Sequence, residues 1–201
     1  VTQSVAVKYG AASKPGVDTG TGAYRETYAQ KGLAFHGVGP AFQLALHYNS
    51  QNFVRLPLGT GWTHSFDASI VDDGAVAIVH WGDGSETCFS KSGVNYVPDP
   101  GNYETLTRVN DASNKGYDLR TKDQTTYAFR EVSSNPVDPN LFTPSIALIR
   151  ITDRHSNSIA ISHFADSGLV QSASDAVGRH LDFSYQPGTY RLLQVSDPQL
   201  G

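Results

Sequence analysis

The chain has 201 residues, 39% of them hydrophobic and 17% charged, with a net charge of -4 and a pI near 5.9. That is enough apolar surface for one or two buried cores, which argues against a disordered chain, and the lack of any Lys or Arg run argues against nucleic acid or an anionic membrane surface as partner. No apolar stretch approaches the ~18 residues that span a bilayer, and Val1 to Gly10 is too polar for an intact signal peptide. The absence of methionine, and a third repeat unit barely begun at Gly201, read as a piece of a longer polypeptide. The lone Cys88 rules out an internal disulfide and fits a small buried hydrophobe on a strand, in a reducing compartment or in a large bacterial exported protein.

Gly, Pro, Asn, Asp and Ser punctuate the chain at intervals of roughly eight to twelve residues, and no stretch holds a 3.6-residue apolar period, so the fold class is all-β. Taken in order, Phe42, Leu44, Leu46 and Tyr48 alternate with polar or small neighbours and predict a half-buried strand ending at Asn49-Ser50. Trp62 to Val71 predicts a second strand, with Trp62, His64, Phe66, Ala68 and Ile70 on one face. Ala75 to Trp81 and Glu86 to Phe89 flank Gly82-Asp83-Gly84-Ser85, a hairpin signal because glycine supplies the positive φ that the turn needs. Tyr117 to Arg120 and Thr125 to Phe129 predict another hairpin. Ser133 to Pro144 carries three prolines and cannot lie inside a sheet, so it is the best internal boundary. The expected domains are 1–132, a connecting loop at 133–145, and 146–201.

The last segment repeats itself. Asp153, Asp175 and Asp197 stand 22 residues apart, and the same shift carries Leu148 onto Val170 and Leu192, Ile151 onto Ala173 and Val195, Ile159 onto Leu181, Ile161 onto Phe183, and His163 onto Tyr185. Fixed-period self-similarity marks a stacked array whose units bury their apolar faces on one another. Each unit reads as a short strand ending in Asp, a turn, a longer alternating strand such as Ser158 to Phe164, and a second turn. The aspartates are expected to satisfy backbone N–H groups in those turns.

The run Leu148 to Asn157, with Asp175 to Tyr185 and Val195 to Pro198, resembles the Rhs or YD repeat. Upstream, Val17-Asp18-Thr19-Gly20, Tyr48-Asn49-Ser50 and Leu58-Gly59-Thr60-Gly61-Trp62-Thr63-His64-Ser65-Phe66 are similar to the block that opens many bacterial Rhs proteins. Ser156-Asn157 replaces the family's Gly-Asn, with Asn expected to take the left-handed conformation. The resemblance implies antiparallel hairpins and meanders leading into a YD-type β-array, the opening of a shell that in several relatives encloses a C-terminal toxin. It implies a secreted or cell-surface bacterial protein whose partner is the remainder of its own polypeptide.

Chemical motifs are absent from the sequence: no His-Glu-x-x-His, Cys-x-x-Cys, phosphate loop or Gly-x-Ser-x-Gly elbow occurs. Thr19 to Gly22 and Gly37-Val38-Gly39 read as turns, since neither precedes a helix. His155, His163 and His180 lack the convergent spacing of metal ligands, and stacked Asp153, Asp175 and Asp197 lack an Asp-x-Asp-x-Asp-Gly calcium loop. No catalytic residue, cofactor or metal site is therefore assigned, and the chain is read as a non-enzymatic scaffold. Trp62, flanked by Gly59 and Gly61, is expected to be a buried anchor, and Trp81 is the candidate surface aromatic for stacking on a glycan. The scaffold reading expects a free strand edge near residues 190 to 201; the alternatives are an adhesion or carbohydrate-binding module and a filament subunit with strand addition between identical copies.

Overall fold

The fold, taken from a computed structural model, is all-β and antiparallel. The structure describes residues 16–18, 22–35, 39–53, 55–111, 115–132 and 144–198. Most of the predicted loop at 133–145, and most of the predicted turns at 19–22 and 37–39, lie outside them.

Strands β1 (Gly16–Val17), β2 (Tyr24–Phe35) and β3 (Phe42–Asn49) form an antiparallel sheet; a small hairpin, β4 (Arg55–Leu56) and β5 (Gly59–Thr60), follows, and β6 (Trp62–His64) then returns to pair with β3. Phe42, Leu44 and Ala45 of β3 are buried, as the alternation predicted for Phe42 and Leu44. The expected single strand from Trp62 to Val71 is instead broken. β6 ends at His64, and β7 (Ser69–Asp72) begins in a different sheet. The cause is local competition for backbone groups. The Phe66 amide donates to His64 Nδ1 at 3.3 Å, the Asp67 amide to the His64 carbonyl at 2.9 Å, and Ser65 Oγ accepts from the Ala45 amide at 2.8 Å. Alternation survives the bend in one respect, since His64, Phe66, Ala68 and Ile70 all remain buried.

From β7 the chain runs as a meander through β8 (Val76–His80), β9 (Glu86–Ser92), β10 (Asn95–Pro98), β11 (Thr105–Asn110), β12 (Lys115–Arg120), β13 (Thr126–Glu131) and β14 (Ile146–Thr152). Both predicted hairpins are present, closed by Trp81 N–H to Ser85 C=O at 2.8 Å and Thr121 N–H to Thr125 C=O at 2.9 Å. β14 pairs with β13 along its length and meets β7 through Ala147 opposite Ser69, so β7 to β14 close into an eight-stranded barrel. Val79, Phe89, Leu119, Phe129 and Leu148, each almost fully buried, belong to its core. Across it, Tyr96 and Tyr117 both donate to one carboxylate oxygen of Asp72, Tyr96 at 2.7 Å. Burial works against the charge of Asp72, but these bonds and the Gly74 amide outweigh it and hold the carboxyl below its ordinary range, while burial and Asp72 push the Tyr117 phenol up.

On the same edge where β14 touches β7, its second half pairs with β15 (Ser158–His163), and the sheet leaves the barrel through β16 (Val170–Asp175), β17 (His180–Tyr185) and β18 (Leu192–Ser196). β14 thus belongs to barrel and array alike. One apolar cluster spans sheet, barrel and array, with Phe66 meeting Phe42 at 5.9 Å and Phe183 edge-on at 6.2 Å.

Candidate functional site

The 22-residue sequence period is a bond-for-bond structural period. Arg150 faces Ala160 and Ile151 faces Ile159 in the first unit, and Ser172 faces Asp182 and Ala173 faces Leu181 in the second. The next pairings match as well, Ile161 to Ala173 becoming Phe183 to Val195, and even the register slips coincide, after Ser162 and after Ser184. Asp153 Oδ1 accepts from the amides of His155 at 2.8 Å and Asn157 at 2.9 Å, and Asp175 Oδ1 from those of Val177 and Arg179, both at 3.0 Å. Asp153 and Asp175 hold turns, as expected of them. The left-handed residue of the first turn is Ser156, with φ of 67°, and its equivalent is Gly178, so the conformation expected of Asn157 belongs to its neighbour. Asn157 contributes instead by donating from Nδ2 to Asp153 Oδ2 at 2.9 Å.

A second series of bonds joins unit to unit. His163 Nε2 lies 2.9 Å from the Leu148 carbonyl, and Tyr185 Oη, 22 residues on, donates to the Val170 carbonyl at 2.8 Å. His163 also places Nδ1 2.9 Å from the Gly168 carbonyl, and a neutral imidazole donates to only one of the two. The other two candidate histidines sit elsewhere: His155 accepts from Arg154 Nε, and His180 Nε2 lies 2.8 Å from Asp182. Among the described residues no group of three or more His, Cys, Asp or Glu is placed to hold a metal ion. The carboxylates of Asp153 and Asp175 are each committed to their own turns.

The segment from Pro57 to Ala68 straps the array to the rest of the molecule. The Leu148 amide donates to the Ala68 carbonyl at 2.9 Å, and the Leu192 amide, two units later, to the Pro57 carbonyl at 3.0 Å. Between these anchors His64 is 2% exposed and lies 5.1 Å from the Phe183 ring. Burial, then the charges of His47 and His163, lower its pKa to about 3. Burial raises Asp67 to about 6, and burial followed by the charge of Asp67 raises the Tyr185 phenol. His64, Asp67, His163 and Tyr185 line a cavity of about 10 Å³, room for about one water. The unit turns dock on β3 and the residues before it: a Cβ on Gly39 would come within 2.8 Å of Asn157 Cβ, and the Arg179 guanidinium lies over the Phe42 ring at 6.0 Å.

Arg179 also donates from Nε to Asp175 Oδ2 at 2.6 Å, and these bonds outweigh burial in holding the Asp175 carboxyl below its usual range. Asp175→Ala is expected to cost about 2 kcal/mol, the worth of charge-assisted bonds to two amides and a guanidinium once water replaces them. Urea unfolding checks it, and a midpoint equal to wild type would contradict the turn-holding role.

β18 has a paired neighbour on one side alone among the described residues. Antiparallel strands alternate the direction of their hydrogen-bonding groups. Since Asp175 N–H reaches across to Arg179, the groups of Ala173 face Leu181, and those of its equivalent, Val195, face away from β17. The edge expected near residues 190 to 201 is therefore a shaped one. It continues the register of the units before it, and Leu192 and Val195, partly buried, pack against the same core as their equivalents Val170 and Ala173.

The tryptophans exchange the places expected of them. Trp81 is 6% exposed, donates from Nε1 to Thr87 Oγ1 at 2.9 Å and packs edge-on against Tyr127 and Phe129, so its ring is not available to stack on a sugar. Trp62 is half-buried, against Tyr28 at 5.7 Å and Tyr48 at 5.2 Å. Gly61 permits this, because a Cβ there would sit 2.8 Å from the Tyr48 ring, whereas a Cβ on Gly59 would meet open space. Periodicity could place each indole on a face but not say which face is covered.

These features define a class: an antiparallel all-β protein in which a closed barrel passes, through a shared strand, into a periodic meander. The family described as Domain of unknown function (DUF6531) matches residues 15–89, well under half of the chain, from β1 into β9 and short of the repeats. No curated protein matches the chain.

Proposed function

We propose that this chain is a non-enzymatic scaffold segment that starts a β-array, in a secreted or cell-surface protein of the Rhs or YD-repeat kind. The barrel and strap form the closed end, and β18 is the growing end on which later units of the same polypeptide stack, in relatives around a C-terminal toxin. The observation that carries this reading is the bond-for-bond period ending in an open edge. The matching sequence features of Leu58 to Phe66 support it from the upstream side.

Appending a copy of residues 158–179 after Gly201 tests it. Two periods beyond the pairing of Ile151 with Ile159, Val195 should pair with the copied Ile159, and the copied His163 should reach the Leu192 carbonyl. The Val195 amide should exchange rapidly in the 201-residue chain and at least about a hundredfold more slowly in the extended one. Unchanged exchange, with the added unit unfolded, would refute templating by this edge.

A further inference from the structure

One face of the β1, β2, β3 and β6 sheet is paved with aromatic rings that the repeat array leaves uncovered. Side chains two apart on a strand share a face, and so do directly paired residues. Tyr24, Glu26 and Tyr28 therefore share a face of β2 with Leu46 and Tyr48 of β3 and Trp62 of β6, given the pairings Glu26 with Tyr48, Tyr28 with Leu46, and Tyr48 with Trp62. At one end this face passes under the repeats, where His64 meets Phe183. The opposite face is occupied by the β8–β9 turn, whose Gly82 and Gly84 carbonyls accept from Thr63 and Asn49. What remains is open: Tyr24 is 38% and Tyr28 44% exposed.

The four rings form a continuous pavement, with centroids 6.3 Å apart for Tyr24 and Tyr48, 5.2 Å for Tyr48 and Trp62, and 5.7 Å for Trp62 and Tyr28. Polar groups lie within it. Trp62 Nε1–H has no hydrogen-bond partner among the described residues, unlike Trp81, and the Glu26 carboxylate, flanked by two tyrosines, accepts at Oε2 from Tyr24 Oη at 2.9 Å and raises the pKa of both phenols, by its hydrogen bonds first. Ring faces that repel water, an unspent donor and a carboxylate acceptor are the complement of one chemistry, a saccharide, whose pyranose ring has an apolar C–H face and a rim of hydroxyls. An organic cation would need rings standing around it, and these lie on one side, tilted by 35° to 54°. We propose that the Tyr24, Tyr28, Tyr48 and Trp62 pavement is a saccharide-binding site, with pyranose rings stacked on Trp62 and Tyr28, their hydroxyls donating to Glu26, and an acceptor oxygen met by the Trp62 indole N–H.

This site is separate from the open edge and stands whether or not that edge is extended. The test is a titration of the 201-residue protein with cellohexaose and, separately, chitohexaose, following the two indole N–H resonances by NMR. The Trp62 resonance should shift saturably with at least one of the two, while the Trp81 resonance, buried and bonded to Thr87, stays in place. Glu26→Gln should weaken binding about tenfold, the loss of a charge-assisted bond, and Trp62→Ala should abolish it with the Trp81 resonance unmoved as proof of folding. No saturable shift with either sugar overturns the proposal. So does a shift with tetramethylammonium alone, which would make the surface a cation site, or one that follows protein concentration without sugar, which would make it a contact between copies.

Discussion

Acidification should destabilise this protein in part through His64, and His64→Gln should change the sign of the pH dependence between pH 7 and 4. The ring is neutral in the folded state because burial, reinforced by the charges of His47 and His163, lowers its pKa to about 3, against 6.5 when exposed. The unfolded chain therefore binds a proton that the folded one refuses. The contribution of His64 is full above pH 6.5 and is lost as pH falls through about 3, for a total of roughly 4–5 kcal/mol. Asp67 works with the opposite sign. Its carboxyl is raised from 3.8 to about 6 by burial, so its contribution is present below pH 3.8 and lost as pH rises through 6. Between pH 6 and 4 the two oppose each other, and wild type should show a shallow slope that steepens below pH 4. In His64→Gln, whose amide oxygen can still accept from the Phe66 amide, stability should rise on acidification from pH 7 to 4. Asp67→Asn should raise stability at pH 7 and expose the full acid loss between pH 6 and 4. Urea midpoints across this range measure both, and a His64→Gln profile of the same shape as wild type would contradict the assignment.

Those two groups lie in the joint between strap and array, which is where sequence reading was least informative. The strands β3, β8, β9, β12 and β13 follow from alternation and turn residues, and the array follows from its period, because in each case the determining contacts are local or repeat along the chain. The break at Ser65 to Ala68 does not follow. There alternation continues through a bend made by side-chain to backbone bonds from His64 and Ser65, and a binary pattern does not register them. β2, the longest strand among the described residues, has no clean alternation and is not legible from the sequence, nor are β10 and β11. Barrel closure depends on Ala147 meeting Ser69, a pairing between residues far apart in the chain that no local signal encodes. The aromatic pavement is legible only as separate residues: the glycines flanking Trp62 mark it in the sequence, but Glu26 and Tyr28 acquire meaning from the register that sets them beside Tyr48.

The shared strand β14 explains why a barrel and an array coexist in so short a chain. A meander that closes leaves no edge, and one that stays open leaves two. Here β14 gives its first half to β7 and its second half to β15, so one sheet ends in closure and still emits a strand. Asymmetry of this kind suits the proposed array, because one end of the large sheet is consumed by the barrel and the other, β18, has no second neighbour among the described residues.

Such a start works only if the β1, β2, β3 and β6 sheet, with its strap, is fixed to the barrel, and Gly82 is the residue on which that fixing depends. A Cβ at position 82 would lie 2.4 Å from the His64 carbonyl oxygen and 2.9 Å from the Ser65 carbonyl, both backbone atoms that cannot turn aside. The close approach is what lets the Gly82 carbonyl accept from Thr63 Oγ1 at 2.7 Å and the Gly84 carbonyl from Asn49 Nδ2 at 3.1 Å. Gly82→Ala should therefore force the β8–β9 turn away from β6, losing both bonds as well as the packing, at about 2–4 kcal/mol. Because the strap runs on from β6, the damage should reach the array, and the amides of Leu148 and Leu192, which donate to Ala68 and Pro57, should lose exchange protection together. The equivalent change at Gly93, where a Cβ meets open space but φ is 65°, should cost about 1 kcal/mol, the penalty of the left-handed conformation alone, and leave those two amides protected. If Gly82→Ala unfolds at the wild-type midpoint, or if Leu148 and Leu192 keep their protection, sheet and barrel are not coupled through this turn.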